Sequence, residues 1–426
     1  MALAKKKLLH SSTPDTVTQL EGKLAIIDVV LTLNYEPLRK QNHDIQNTLV
    51  ESHSRIVFAI PKHREFMRTG YPSEPLLAEA ANQILHQWEK KSPSFCIDNL
   101  LYCNEDGMLA KGHVGEMVAR LILSGAYRHA VAAETNLKKS PNFSAGCSLV
   151  TFINELLPED HAEVVLNSGP DNVSGGLNFK DAFKDAVVRF THFVTMSNKG
   201  DPKNSSWGWT NMAWAMFVRS AAIICHPTQE TIDLIIPILL SAHDKIDEHA
   251  MSAILIQVKN RTKAGNIIEL LFDADEVKLF QKKTKFRPYI ALVMDLGIAH
   301  RIRRRDIVNY QAGTDRHKVS RQFNHQRYYF IVSGCSEAVY KNIDKNKFDG
   351  LLGAHDVFCD HARQDPKSLG AVRKTKPVWE PGIDCFGWVD DPILRTSSHK
   401  QKHKKEGVFI GGKIVHDNPE DVPMET

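Results

Sequence analysis

Two polar side chains interrupt the most strand-like segment of the chain. The segment Ser252–Asn260 reads SAILIQVKN and carries Gln257 and Lys259 near its end. A strand alternates its side chains, so these two share one face and the apolar residues between them share the other. Either the strand simply enters solvent at this point, or an amide oxygen and an ammonium group are needed there for chemistry.

A single carboxylate stands at the start of the preceding apolar run. Thr231–Leu240 reads TIDLIIPILL, with Asp233 as its one acid. If the two runs are neighbouring strands joined by a long turn, Asp233 lies near Gln257 and Lys259. Carboxylate and amide oxygens suit Mg²⁺, and a lysine can orient or deprotonate a water or stabilise charge at a phosphate. The competing interpretation is an Asp that caps a turn at the strand entrance.

Several further elements must position these residues. A helix with one apolar face is predicted over 112–123 and carries Glu116. A second helix is predicted from Asn204 to about Cys225, ended by Pro227. Five segments are predicted as strands: 187–194, 232–240, 253–259, 289–294 and 328–333. The segment 253–259 carries Gln257, and the segment 289–294 also fits a helix.

Composition indicates a globular, intracellular protein. The chain has 426 residues, of which 42% are hydrophobic and 24% charged, with a net charge of +4. Seven scattered cysteines without a CxxC pair are typical of reduced thiols, so a cytoplasmic or nuclear location is expected. No secretory signal and no apolar run of about 18 residues is found, which predicts a protein that does not span the membrane.

The order of these elements resembles the PD-(D/E)XK, or restriction-endonuclease-like, superfamily. A helix with Glu, a strand, a strand with Asp, a strand with (E/Q)xK, and then a helix and a strand follow one another over roughly residues 110–340. The resemblance implies an αβββαβ core and Mg²⁺-dependent hydrolysis of nucleic acid, and it leaves the choice between DNA and RNA open. By position it makes Asp233 and Gln257 the metal ligands, with Glu116 as a third, and Lys259 the catalytic lysine. The form of the motif with Gln in place of Glu resembles that of the branch of the superfamily that includes type IV restriction endonucleases.

More narrowly, several segments resemble a group of fungal proteins similar to the nuclease portion of Crinkler-type effectors. These are 51–81, 183–194 and the QVKNR run. In such effectors a P-loop NTPase often precedes the nuclease. This chain contains no GxxxxGK[ST] motif, so no nucleotide-triphosphate site is expected in it.

The predicted fold class is therefore α/β, with a restriction-endonuclease-like core, a helical N-terminal region and helical insertions. The predicted divisions are a helical region at 1–100, which could be a remnant of an upstream module, the nuclease-like domain with insertions at 101–345, a loop-rich extension at 346–394 and a disordered basic tail at 395–426. The rival interpretation is a catalytically inactive module of the same fold that binds nucleic acid or a protein partner. The sequence leaves the oligomeric state open.

A basic segment follows the strands and could follow a phosphate backbone; a solvated loop with ordinary ion pairs is the alternative. The residues named for nucleic-acid binding are Arg301, Arg303, Arg304, Arg305, Lys318 and Arg321. A zinc site at His355, Cys359 and His361 is disfavoured, because a fourth ligand is missing at a usual spacing.

Overall fold

The fold is known from a computed structural model of the chain. It describes residues 1–9, 19–37, 40–60, 62, 67–110, 113–135, 139–173, 175–196, 209–225, 231–241, 246, 248–260, 274, 279–280, 286–297, 325–353, 407–410 and 413–415.

Among the described residues, helices dominate the first half of the chain and strands the second. The helices are α1 (Ala2–Leu9), α2 (Leu20–Leu31), α3 (Lys40–Ser52), α4 (Pro75–Lys91), α5 (Phe95–Glu105), α6 (Val114–Glu134), α7 (Leu149–Leu156), α8 (Glu159–Leu166), α9 (Phe179–Ala182), α10 (Trp209–Val218) and α11 (Lys345–Gly353). The strands are β1 (Ile56–Ala59), β2 (Arg68–Gly70), β3 (Cys147–Ser148), β4 (Val187–Val188), β5 (His192–Thr195), β6 (Ala221–Ile224), β7 (Leu234–Leu239), β8 (Met251–Lys259), β9 (Tyr289–Asp295), β10 (Arg327–Ser333), β11 (Gly407–Ile410) and β12 (Lys413–Val415).

A mixed sheet of ten strands forms the centre of the fold. Its order is β12-β11-β10-β9-β8-β7-β4-β3, and β6 pairs with both β7 and β5. The strands β7 and β8 are antiparallel, whereas β8, β9 and β10 run parallel to one another. β1 and β2 form a separate antiparallel pair.

Both faces of the central strands are buried. On one face, Ile254, Ile256 and Val258 join a large cluster with the helices α1, α2 and α4 to α8. On the other face, Ala253 and Leu255 join a smaller cluster that includes residues of β9, β10 and α10. Parallel strands covered on both sides read as continuous apolar runs, which is the pattern of β8, β9 and β10. Successive residues of β8 contact the two clusters in turn, so the predicted alternation of its side chains is confirmed.

The predicted helix from Asn204 to Cys225 is wrong in its second half. α10 ends at Val218, and β6 begins at Ala221. Ser220 adopts a left-handed conformation with φ 54° and reverses the chain there. Its carbonyl accepts hydrogen bonds from both the amide and the hydroxyl of Thr191. This tertiary pairing outweighs the helix propensity of the Ala-Ala-Ile-Ile run that follows.

The predicted strand 187–194 is divided in two. β4 pairs antiparallel with β7, and β5 pairs parallel with β6. Arg189 lies in the break, where its guanidinium donates two hydrogen bonds to the Phe217 carbonyl. The chain therefore changes partner within one apolar run, which periodicity alone does not reveal.

The C-terminal predictions also need correction. α11 occupies Lys345–Gly353, inside the region predicted as loop-rich. β11 and β12 lie inside the predicted disordered tail, and β11 pairs with β10. β11 adds to the edge of the sheet and supplies hydrogen-bond partners for the backbone of β10. The basic composition of the segment does not predict this pairing, because it depends on contacts with a distant strand.

The N-terminal helices belong to the same core as the sheet. The large cluster extends from Leu8 in α1 to Leu352 in α11 without a division near residue 100. The Thr32 hydroxyl after α2 donates a 2.6 Å hydrogen bond to the Phe193 carbonyl in β5. The first hundred residues are thus packed as a layer on the sheet. Within the described ranges, no helix has the length and apolar character that crossing a membrane requires.

Candidate metal centre

Asp233 is fixed at the end of the β7–β8 ladder. Its amide donates to the Ile256 carbonyl at 2.9 Å, and its carbonyl accepts from the Cys225 amide at 2.8 Å. One carboxylate oxygen accepts a 2.6 Å hydrogen bond from the Val258 amide. The backbone around Asp233 is therefore held by strands on both sides, which points the carboxylate at the last residues of β8.

Gln257 follows directly on the last residue of β8 that pairs with β7. The register of the two strands ends at Leu234 and Ile256. Beyond it the Asp233 amide donates to the Ile256 carbonyl and the Asp233 carboxylate accepts from the Val258 amide, so Asp233 bonds the residues on either side of Gln257. The predicted pairing of the two strands is confirmed. Gln257 is only 3% exposed.

The Gln257 side-chain oxygen has no hydrogen-bond partner among the described residues, although it is buried. Leaving a buried acceptor unsatisfied costs about 1–3 kcal/mol. A carbonyl oxygen of this kind is a suitable ligand for a hard cation. The buried Gln257 oxygen is therefore a candidate ligand for a cation.

Lys259 is the last residue of β8 and is half-buried. Its carbonyl accepts from the amides of Leu296 and Gly297, at 2.8 and 3.3 Å, which ties the ends of β8 and β9 together. Burial raises the pKa of the Asp233 carboxyl group, and the positive charge of Lys259 opposes that rise.

Glu116 reaches the same place from the first turn of α6. Gly115 brings the helix against the end of β8, since a Cβ atom at that position would lie 2.8 Å from the Asn260 Cβ. The Glu116 side chain is 29% exposed, with the His113 ring 3.6 Å away. Burial would raise the pKa of Glu116, but the His113 hydrogen bond and the Arg120 charge hold it below its usual value.

The charge of Glu116 acts on two titratable groups beside the β7–β8 pair, Asp233 and Cys225. Burial raises the pKa of Asp233, and the Glu116 charge adds to that rise against the Val258 hydrogen bond. Burial likewise raises the pKa of the Cys225 thiol, with the charges of Asp233 and Glu116 in the same direction. Two carboxylates that disfavour each other's charge are stabilised by a cation between them.

The oxygen donors available are two carboxylates and one amide. In the part of the chain that the structure describes, no group of three or more His, Cys, Asp and Glu side chains is arranged to hold a metal ion. Gln257 would therefore have to complete the ligand set. Asp233, Gln257 and Glu116 are the residues that would hold Mg²⁺, with Lys259 beside them.

Arg120 is a further buried group near the site. It is 1% exposed, and its Nε has no hydrogen-bond partner among the described residues. Burial lowers its pKa to about 10, against the opposing effect of Glu116 one helical turn away. The guanidinium stays charged at neutral pH and favours the ionised form of Glu116.

Sequence reasoning missed Asp295 at this edge of the sheet. It ends β9 and pairs in register with Lys259 on one side and with Ser333 on the other. The available signal was an acid at the end of the apolar run Tyr289–Asp295, the same signal that singled out Asp233. The basic residues from Arg301 to Arg321 and the residues named for zinc lie outside the described residues.

Comparison with known proteins adds a family. No curated protein and no solved structure matches the chain. The model of a domain of unknown function, DUF8736, matches residues 15–279. The match begins before α2 and extends past β8, so it includes Glu116, Asp233, Gln257 and Lys259 and crosses the boundary predicted at residue 100. Since it spans more than half of the chain, the protein belongs to the DUF8736 family.

Proposed function

We propose that the protein is a Mg²⁺-dependent nuclease that hydrolyses phosphodiester bonds in nucleic acid through Glu116, Asp233, Gln257 and Lys259. The observation that carries the proposal is the buried Gln257 oxygen without a partner among the described residues, on the strand that pairs with β7. The charges of Glu116 and Lys259, which both act on Asp233, support it. Their arrangement also supports the resemblance to the restriction-endonuclease-like core.

Further support comes from the order of the strands. β6, β7 and β8 form an antiparallel meander, and β9 follows β8 in parallel. With α6 before them, this order supports the resemblance, although β3 to β5 and α7 to α10 lie between α6 and β6. The helix expected between β8 and β9 falls on residues outside the described ranges.

Each residue has a distinct task in the proposed reaction. Asp233, held by the Val258 amide, and Glu116 supply negative charge, and Gln257 supplies a neutral oxygen. Bound Mg²⁺ would polarise the phosphate and lower the pKa of a coordinated water. Lys259 orients the attacking water and stabilises the negative charge that develops on the phosphate oxygens.

The direct test is a cleavage assay on single-stranded and duplex DNA and RNA, with millimolar Mg²⁺ or with EDTA. We expect cleavage that requires Mg²⁺ and falls at least about 100-fold in Lys259→Ala, because the lysine acts on the reacting groups. The matched control is Lys180→Ala, at an exposed position in α9. Full activity of a folded Lys259→Ala protein would show that the chemistry lies elsewhere.

A non-catalytic module that binds nucleic acid is the second candidate. It is favoured by the neutral amide at Gln257 and by the finding that no group of three or more His, Cys, Asp and Glu side chains among the described residues could hold a metal ion. Such a module binds oligonucleotides with the same affinity with and without Mg²⁺ and cleaves none of them. Binding and cleavage measured on the same samples separate the two functions.

A further inference from the structure

A row of polar residues crosses the carboxyl ends of the three parallel strands. Lys259 in β8 pairs in register with Asp295 in β9, and Asp295 pairs in register with Ser333 in β10. Neighbouring strands are about 5 Å apart, so Asp295 and Ser333 lie about 5 and 10 Å from Lys259 along the sheet. Ligands of open α/β sheets bind outside the carboxyl ends of such strands.

The three residues share one face of the sheet. Leu255, Val293 and Ile331 belong to the smaller core cluster on that face. Because side chains alternate, the residues two or four positions further along, which are Lys259, Asp295 and Ser333, point the same way. Gln257 lies between Leu255 and Lys259 on this face too, so the row continues directly from the candidate metal centre.

The far end of the row has an unused hydroxyl group. Ser333 is 2% exposed, and its hydroxyl oxygen has no hydrogen-bond partner among the described residues. A buried hydroxyl without a partner costs free energy. With the Gln257 oxygen, it is the second buried polar atom without a partner on the same face at the same edge of the sheet. A ligand that binds along this edge would satisfy both.

We propose that Asp295 and Ser333 form a ribose subsite next to the metal centre and that the substrate is therefore RNA. The inference rests on the proposed nuclease function. The Asp295 carboxylate accepts a hydrogen bond from the 2′-hydroxyl, and the Ser333 hydroxyl donates one to the same oxygen. A 2′-hydroxyl is both a donor and an acceptor, and the pair offers one of each.

Asp295 and Ser333 select this part of the nucleotide because they offer an acceptor and a donor side by side. That combination matches a hydroxyl group, whereas a phosphate oxygen would meet a second acceptor. If the subsite recognised a base, cleavage would depend on the sequence and would be equal for RNA and DNA of the same sequence. Because it recognises the sugar, cleavage depends on the 2′-hydroxyl at one position.

The test uses the full chain and fluorescein-labelled single-stranded oligonucleotides of one sequence, as RNA, as DNA with deoxyuridine, and as RNA with one 2′-deoxy residue placed at each position in turn. Cleavage is measured as kcat/KM in Mg²⁺, and binding is measured by anisotropy with the Lys259→Ala protein. We expect RNA to be preferred by at least about tenfold and one 2′-deoxy position to remove the preference.

The protein variants are Asp295→Asn and Ser333→Ala, with Asp160→Asn at an exposed position of α8 as the matched control. The ratio of RNA to DNA activity should fall about tenfold in the first two and stay unchanged in the control. Equal activity on RNA and DNA, or a preference for DNA, would overturn the ribose subsite. If nothing is cleaved, RNA-selective binding that Asp295→Asn removes keeps the subsite while the nuclease function fails. Equal binding of RNA and DNA, or no binding of either, overturns the subsite as well.

Discussion

At the scale of single residues, the site depends on a balance between two acids and one amide. Asp233 and Glu116 disfavour each other's charge, and Lys259 offsets part of that cost. Gln257 contributes an oxygen without adding a third negative charge. In the proposed metal site, the affinity for Mg²⁺ would therefore depend on the charge at position 257.

Gln257→Glu should tighten Mg²⁺ binding. A third carboxylate attracts a divalent cation more strongly than an amide does, although it also repels Asp233 and raises one of their pKa values when no ion is bound. At millimolar Mg²⁺ the attraction should prevail, with an affinity gain of about tenfold, measured by calorimetric titration.

Gln257→Met is the matched control for the titration of Gln257→Glu, since it keeps the length of the side chain and removes the oxygen. It should weaken Mg²⁺ binding. Equal affinities of all three proteins would remove Gln257 from the set of metal ligands.

Asp233→Asn should raise the free energy of unfolding by up to about 1 kcal/mol at pH 7. Burial raises the pKa of Asp233, so its ionised form costs stability in the folded protein. The asparagine oxygen can still accept the Val258 hydrogen bond. Mg²⁺ binding should be lost in the same variant.

The stability gain of Asp233→Asn should depend on pH in a defined direction. Because the pKa is raised on folding, the wild-type protein loses stability as pH rises from the unfolded pKa of about 3.9 to the higher folded pKa. The gain should be absent below that window and complete above it. Urea unfolding across this range measures it, and a gain that grows towards acid pH would contradict the assignment.

At the scale of elements, the site requires α6 to lie very close to the end of β8. Gly115 makes that possible because it has no side chain, and Asn260 fills the space a Cβ atom would occupy. The helix faces the large core cluster through Val114, Met117 and Val118. Glu116 is thereby carried to the edge of the sheet.

Gly115→Ala should therefore destabilise the protein by about 1–3 kcal/mol and weaken Mg²⁺ binding, because α6 must move away from β8. Gly125→Ala in the same helix is the matched control, since nothing lies within 4 Å of a Cβ atom there. It should stabilise the protein by about 0.5–1 kcal/mol, the helix propensity difference between Gly and Ala. Urea unfolding and Mg²⁺ titration of both variants test this, and an equal gain in stability would refute the close approach.

At the scale of the whole molecule, one core joins the N-terminal helices to the sheet. The large cluster includes residues of α1, α2 and α4 together with residues of β7 to β10. The family match at residues 15–279 includes α2 and α4 together with β7 and β8. These helices cover one face of the sheet that carries the site.

A chain that begins at residue 101 should lack a cooperative unfolding transition. Its sheet would expose apolar surface that α2 and α4 normally cover, which favours a compact state with fluctuating packing. The full chain should show coincident transitions by near-UV and far-UV circular dichroism, whereas the shortened chain should lose its near-UV signal. A sharp, cooperative transition of the shortened chain would support the domain boundary that the sequence predicted.

The sequence by itself determined the candidate residues and most of the elements that carry them. The strands β7 to β10 are almost entirely apolar because both faces of the sheet are buried. A polar residue at the end of such a strand is therefore conspicuous in the sequence. That physical contrast singles out Asp233, Gln257 and Lys259. Glu116 came from the resemblance to a known family, on a helix whose apolar face is periodic.

The tertiary structure alone decided which of these elements meet and what else joins them. Ser220 reverses the chain between α10 and β6 because its carbonyl has partners far away in sequence. Asp295 and Ser333 come beside Lys259 only through parallel pairing, in which long connections separate the partners. Local propensity and periodicity contain no information on such pairings, since the free energy that fixes them comes from contacts between distant segments.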